Sequence, residues 1–405
     1  MSSIKYRLIL MSFMQYAVWG SWLISLGAYL GGSLRFDGLQ IGSFFATMGI
    51  ASLFMPAVAG IIADRWIPAQ KVLGICHILA ASLLVAAAPQ TDYSHLYSLM
   101  LLSVMFYMPT IAISNAVAYS ALNKAGLNAI KSFPPIRVWG TVGFICAMVA
   151  VDLLKFSATS RQLYLSAGLG LALGLYAFTL PACPTSKGAS GKSWIDSLGL
   201  RAFSLFRQKK MAVFFIFSML LGMSLQITNA FGNTYLTNYF GNIPDYHGTF
   251  GVEYANILIS LSQLSETLCI LLIPFFMKRF GIKRVMLIAM AAWVLRFGLL
   301  GAGNPGAGVW MLILSMVVYG VAFDFFNISG SLFVEQEADK SVRSGAQGVF
   351  MVMTNGLGAL IGSYAAGAVV NACGWPHSWF IFSLYALAVA VAFAIVFKYK
   401  PSTPR

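Results

Sequence analysis

Apolar runs of about 20 residues recur along the whole chain, each closed by a short polar or charged loop. As a helix, a run of that length crosses a hydrocarbon core about 30 Å thick. Twelve such spans are predicted, at about 8–31, 40–63, 70–89, 95–119, 136–156, 162–181, 211–236, 254–277, 284–302, 309–331, 345–370 and 377–397. The first follows Lys5 and Arg7 as a secretory leader would, yet it is too long and holds Gln15, Trp19 and Trp22, so it reads as a retained span. No soluble domain of any size is left over. The expected fold class is an all-α membrane protein of twelve transmembrane helices.

Composition agrees. Of 405 residues, 59% are hydrophobic and 9% charged, where a soluble chain carries about a quarter charged residues. A net charge of +14 could suggest nucleic acid, but the basic residues sit in short loops between apolar runs rather than along a soluble face. No nucleic-acid partner is expected; the charge encodes sidedness. With the N-terminus inside, one side receives Lys5, Arg7, Arg65, Lys71, Lys124, Lys131, the central loop, Lys278, Arg279, Lys283, Arg284, Lys340, Arg343, Lys398, Lys400 and Arg405. The other receives only Arg35, Lys155 and Arg161. That bias predicts a multi-pass membrane protein with both termini in the cytoplasm.

The chain breaks near its midpoint at "CPTSKGASGKSWIDSLGLRAFSLFRQKK", a basic linker that includes Lys187, Lys192, Arg201, Arg207, Lys209 and Lys210. Its stretch from Trp194 to Phe206 has near-helical apolar spacing and either lies along the inner surface or is a solvated loop. "GIIADRWIPAQKVL" after the second span and "MKRFGIKRVML" after the eighth stand about 213 residues apart, at equivalent places, which predicts two six-helix halves. The expected division is 1–182, a cytoplasmic linker at 183–210, and 211–405. The first loop, with Gly60, Asp64, Arg65 and Lys71 downstream, resembles the signature loop of the major facilitator superfamily. There the acid and bases link helix ends and bias which face is open; the second copy lacks the acid. Glycines four apart (Gly27 and Gly31, Gly170 and Gly174, Gly358 and Gly362) predict close helix crossings.

Charges at mid-depth are few, and each costs about 2.5 to 3.5 kcal/mol on insertion scales, so they narrow the search: Arg137, Glu266, Arg296 and Asp324. Arg137, Thr141 and Phe144 fall at i, i+4 and i+7 of one helix; Gln226 and Asn229, like Gln263 and Glu266, are spaced i and i+3; Tyr319, Phe323 and Phe326 form an aromatic stripe. Ion pairs and aromatic packing between helices would account for each singly, but together they predict a wet cleft, since polar groups in hydrocarbon need partners or water. The amides suit hydroxyls and heterocycle edges, and Phe144, Tyr319 and Phe323 offer flat surfaces for a ring. A neutral ligand with a sugar and an aromatic base meets both demands. Asp324 lies about 140° around its helix from Tyr319, on a flank where it is expected to pair with Arg137 or Arg296. Glu266 sits nearer the ligand face, where low dielectric favours the neutral acid and makes it a candidate proton carrier, with Asp324 as the other.

Five scattered cysteines without C-x-x-C spacing, four dispersed histidines and no G-x-S-x-G give no metal, cofactor or nucleophile site, so an enzyme is not expected. No oxygen-rich cluster favours sodium over protons.

The blocks "WGSWL" (19–23), "FPPIRVWGTVGF" (133–144), "FFIFSMLLGMSLQITNAFGNTYL" (214–236), "SQLSETLCILLIPFF" (262–276), "YGVAFDFFNISGSLFVEQE" (319–337) and "AQGVFMVMTNG" (346–356) span nearly the entire chain. In these it resembles the bacterial nucleoside:proton symporters of the major facilitator superfamily. The resemblance implies a twelve-helix transporter that imports nucleosides with protons; the expected partners are nucleosides, protons and membrane lipid, and the protein is expected to be a monomer without a cofactor. It implies a central site of Arg137, Thr141, Phe144, Gln226, Asn229, Gln263, Glu266, Tyr319 and Phe323, with Asp324 also important. The chain departs from the family's pattern in "GNIPDYHGTFGVEYAN" and in the linker, outside that site. Two other readings share these features: a proton-coupled sugar or oligosaccharide symporter, and a membrane sensor that binds nucleosides without moving them.

Overall fold

The computed structural model describes residues 3–185, 200–339 and 342–399, which form helices, turns and loops without a strand. Lys187, Lys192, Trp194, Lys340, Lys400 and Arg405, with the side chain of Arg201, lie outside the described residues. The long helices are α1 (Ser3–Gly20), α2 (Gly38–Arg65), α3 (Ala69–Ala87), α4 (Tyr93–Lys124), α5 (Ala129–Leu153) and α6 (Arg161–Ala177). They continue with α7 (Lys209–Asn242), α8 (Ala255–Ala302), α9 (Val309–Glu337), α10 (Gly345–Cys373) and α11 (His377–Val396).

Among the described residues, nine of these are long and apolar enough to cross a membrane. The 48-residue α8 is two crossings, bent where Gly281 takes φ 73° inside the predicted loop "KRFGIKR". With its two arms counted apart, and with α1 and the 17-residue α6, the helices match the twelve predicted spans. Prolines inside helices, Pro56, Pro109, Pro134, Pro135 and Pro274, are tolerated because neighbouring helices can satisfy the freed backbone. Two helices on one face start on local caps. Gln40 N–H donates to Asp37 at 2.8 Å, and His95 N–H donates to Asp92 at 3.0 Å.

The first span is not continuous as predicted. After Gly20 the chain turns through residues 21–25, resumes at Leu26–Ala28 and widens into a π-turn at Tyr29–Ser33. The break sits in a close α1–α5 seam: a Cβ on Gly20 would lie 2.5 Å from the Phe144 carbonyl, and Gly143 abuts Phe13 backbone still more tightly two turns earlier. All three predicted glycine pairs lie at crossings. Gly27 and Gly31 meet α7 at Ala230 and Asn238, Gly170 and Gly174 meet α3, and Gly358 and Gly362 meet α7 at Met219 and Met223.

Helices α1 to α6 pack chiefly on one another (α1 on α5 and α6, α3 on α4 and α6, α2 on α4), as do α7 to α11. The two sets meet along α2 with α10 and α5 with α8. The seams are closed at the end bearing the α1–α2, α5–α6 and α7–α8 loops, where Gly38 N–H donates to Asn371 Oδ1 at 2.6 Å and Asn238 donates to the Ala28 carbonyl at 3.2 Å. Toward the Arg65 end they loosen: in α2, residues 41–49 are all buried, whereas none from 52 to 58 is. Of the linker, Leu200–Arg207 winds as 3-10 turns and rests Phe206 on Phe215, with ring centroids 5.2 Å apart.

Candidate functional site

Arg137 and Glu266 face each other across the α5–α8 seam, and Asp324 and Arg296 lie behind Glu266 where α8 packs on α9, around the Tyr319 ring. From α5, the Arg137 guanidinium lies 3.9 Å from the centroid of the Tyr16 ring on α1 and within electrostatic reach of Glu266 on α8. Glu266 is in turn within reach of Tyr319 and Asp324 on α9. Tyr319 stacks on Phe323 (5.7 Å, 10°), as four-residue spacing on one helix dictates. It is met edge-on by Trp293 (6.1 Å, 89°) and carries the Arg296 guanidinium 4.7 Å above its ring. Phe144 is held edge-on by Trp19 at 6.3 Å.

The remaining predicted residues are placed by helical register alone. Thr141 is one turn from Arg137, Gln263 one turn from Glu266, and Gln226 and Asn229 share a face of α7. Arg137, Thr141, Asn229, Gln263, Glu266 and Phe323 are half-buried, while Phe144, Gln226 and Tyr319 are buried. Half-exposed amides, an arginine and a carboxyl amid apolar helices are what a solvated cleft accommodates. The Gln226 Oε1 is buried without a hydrogen-bond partner, an acceptor left over for a donor from outside the chain. Behind Phe323 a cavity of about 30 Å³, lined in part by Trp293, Asn327, Thr354 and Asn355, is roomy enough for water. The π-turn Val352–Gly358 borders it and supplies Thr354 and Asn355.

The expected ion pair of Asp324 is corrected by the structure. Asp324 is 3% exposed, its Oδ2 has no hydrogen-bond partner, and among the described residues its carboxyl enters no ion pair. Arg296 is likewise buried, at 2%, and donates instead to the Ser315 carbonyl at 2.6 Å; Arg137 is spent on Tyr16. The cause is the α8–α9 crossing. Gly320 lies against Ser265, and Ser265 donates to the Val317 carbonyl, so the Asp324 flank turns toward Cys269 and Glu266.

Gly60, Asp64 and Arg65 lie in the last turns of α2, with Asp64 exposed and Arg65 half-buried. Sequence reasoning passed over Tyr16, although Gln15, Tyr16 and Trp19 interrupt the first apolar run. It also passed over a buried network in which Gln15 donates to Thr110 Oγ1 (2.7 Å), His77 Nε2 donates to Gln15 Oε1 (2.8 Å) and Tyr107 donates to the Gln15 carbonyl (2.8 Å). That network holds α1 to α3 and α4 beside Trp19.

The chain is 50% identical to the xanthosine permease of Escherichia coli (strain K12) over 405 residues, covering 98% of this chain and 97% of that one. It is 47% identical to the nucleoside permease NupG of the same organism, with the same coverage. The crystal structure of NupG superposes with a TM-score of 0.93 over 98% of this chain and 100% of that chain. A POT family transporter, 14% identical over 96% of this chain and 95% of that one, matches with a TM-score of 0.72, a likeness of fold alone. The fold is that of the major facilitator superfamily. Residues 1–402 match the family described as Nucleoside H+ symporter, and with half of all positions shared with a relative over nearly its full length, the chain belongs to that family.

Proposed function

We propose that this chain imports nucleosides across the bacterial inner membrane in symport with protons, by alternating access. The observation that carries the reading is the meeting of Arg137, Glu266 and the Tyr319–Phe323 stack at the α5–α8 seam of a chain that belongs to the symporter family. In this reading the stacked rings hold the base. Arg137, Thr141, Gln226, Asn229 and Gln263 hydrogen-bond the ribose and the base edge, and Phe144 closes the α5 side. Two neighbouring carboxyls with no cation shared between them favour one proton held by the pair, so Glu266 and Asp324 together carry it. A proton there changes the charge of the site, and through it the relative affinity of the two access states.

Residues 1–182 and 211–405 act as two six-helix bodies rocking about the site. Residues 183–210 form a cytoplasmic linker, both termini are cytoplasmic, and the protein works as a monomer in lipid without a nucleic-acid partner. The last turns of α2, with Gly60, Asp64 and Arg65, bias closure of the cytoplasmic face. Labelled nucleoside uptake into proteoliposomes, with and without an inward proton gradient, tests the proposal. Accumulation driven by the gradient, and blocked by uridine or adenosine but not by ribose or disaccharides, is expected. Block by disaccharides would select a sugar symporter, and binding without counterflow a sensor.

A further inference from the structure

Helix α8 carries Gln263 and Glu266, yet it begins without a cap of its own: Tyr254, the residue before it, makes no capping hydrogen bond. Helix α5 ends with the opposite anomaly. Asp152, one residue from its C-terminus, sets a carboxylate at the negative end of its own helix dipole, where an acid is disfavoured, and is buried there at 2% exposure. The two defects cancel. The Ile257 N–H, in the first turn of α8, donates to Asp152 Oδ2 at 2.9 Å. Ser157 donates to Asp152 Oδ1 at 2.6 Å, Asn256 Nδ2 to Ser157 Oγ at 3.3 Å, and Asn233 Nδ2 of α7 to Asn256 Oδ1 at 2.7 Å. Asn233 and Asn256 are wholly buried.

We infer that Asp152 is a positioning residue of the transport cycle: an N-cap for α8 supplied by α5, formed only while this face is closed. When the face opens, α5 and α8 part at this point and the cap is lost, so the carboxylate biases the resting protein toward the opposite opening. The neighbouring ion pair, Lys155 to Glu253 at 2.9 Å, spans the same gap, but its side chains are about half exposed and such pairs contribute little. Asp152, buried and aimed at a helix N-terminus, is the stronger tie. The inference rests on the alternating-access reading above but not on what is carried.

The experiment measures the face directly, without substrate. Spin labels go on Thr91→Cys and His247→Cys, exposed loop positions on this face in the two helix sets, in full-length protein in nanodiscs with the exposed Cys146 and Cys373 replaced by serine. Asp152→Ala is expected to enlarge the longer-distance, open population about five-fold, the equilibrium equivalent of one lost cap. Lys155→Ala should move it two-fold or less, on the order of a surface pair. Asp152→Asn keeps an acceptor of nearly equal capping strength and should restore the native distribution. Ser157→Ala, which frees one carboxylate oxygen, should shift it in the same direction as Asp152→Ala and serves if the alanine variant does not fold. Unchanged distances in monodisperse Asp152→Ala, or an effect of Asp152→Asn equal to that of alanine, would overturn the inference. Failure to accumulate nucleosides would instead sink the proposed function and leave these distances as they are.

Discussion

Replacing Arg296 by methionine separates two accounts of the charges in α8 and α9. Were Arg296 the ion-pair partner of Asp324, removing it would strand a buried carboxylate at a cost of about 3 to 5 kcal/mol. The structure gives Arg296 a different set of contacts: one hydrogen bond to the Ser315 carbonyl, the face of Tyr319 at 4.7 Å, and an Nε without a partner. Methionine loses a charged hydrogen bond of about 1.5 to 3 kcal/mol and a cation–π contact of about 0.5 to 2 kcal/mol. It recovers the roughly 2.5 to 3.5 kcal/mol that a mid-depth arginine costs, and its thioether packs against Met316, already an Arg296 neighbour. The terms nearly cancel.

Thermal unfolding in detergent should therefore shift by no more than about 2 °C, against about 5 °C or more for a broken buried pair in a chain of this size. Arg296→Met and Asp324→Asn should also add without coupling. Nucleoside binding should still weaken several-fold, because the guanidinium that fixes the Tyr319 ring is gone. A drop in the unfolding midpoint of 5 °C or more that Asp324→Asn largely reverses would refute the geometry on which this rests.

Glu266→Gln should abolish gradient-driven accumulation, which a single proton can raise by up to about tenfold per pH unit, while sparing counterflow; unchanged accumulation in proteoliposomes would remove Glu266 from the coupling. For the wild type, initial uptake should rise as external pH falls, since the acid must load a proton with the substrate, and the Glu266→Gln rate should be flat over the same range. Phe323→Ala should raise the apparent KM by about tenfold, the worth of one base stacked on an aromatic ring, with the unfolding midpoint serving to exclude a folding defect. Gln15→Leu should destabilise by about 1 to 3 kcal/mol, because it leaves His77 Nε2 without its partner in a dry setting, and a denaturation midpoint equal to the wild type would contradict that network.

How far the site could be read from residues alone follows from what a membrane helix hides. When lipid and neighbouring helices are equally apolar, a helix shows little amphipathic contrast, and face assignment rests on the few polar exceptions. Those exceptions, Arg137, Glu266, Arg296 and Asp324, are neighbours in a chain that runs through Tyr319, and Thr141, Gln263 and Phe323 lie within about one turn of them on the same helices. Register cannot say which helix a face meets. The 140° offset put Asp324 on a flank, but the small side of α9 at Gly320, pressed on Ser265, decided that the flank looks at another acid and not at an arginine. Asp152 escaped notice for a related reason. At a helix end an acid reads as ordinary loop charge, and only the uncapped start of α8, about 100 residues downstream, gives it a purpose. The two cases have one physical root: what a buried carboxyl faces, a backbone N–H for Asp152 and another acid for Asp324, is set by a different helix. A sequence therefore discloses that such a charge needs compensation well before it discloses from where, and a polar residue on the wrong end of its own helix dipole deserves a search for a second helix that lacks a cap.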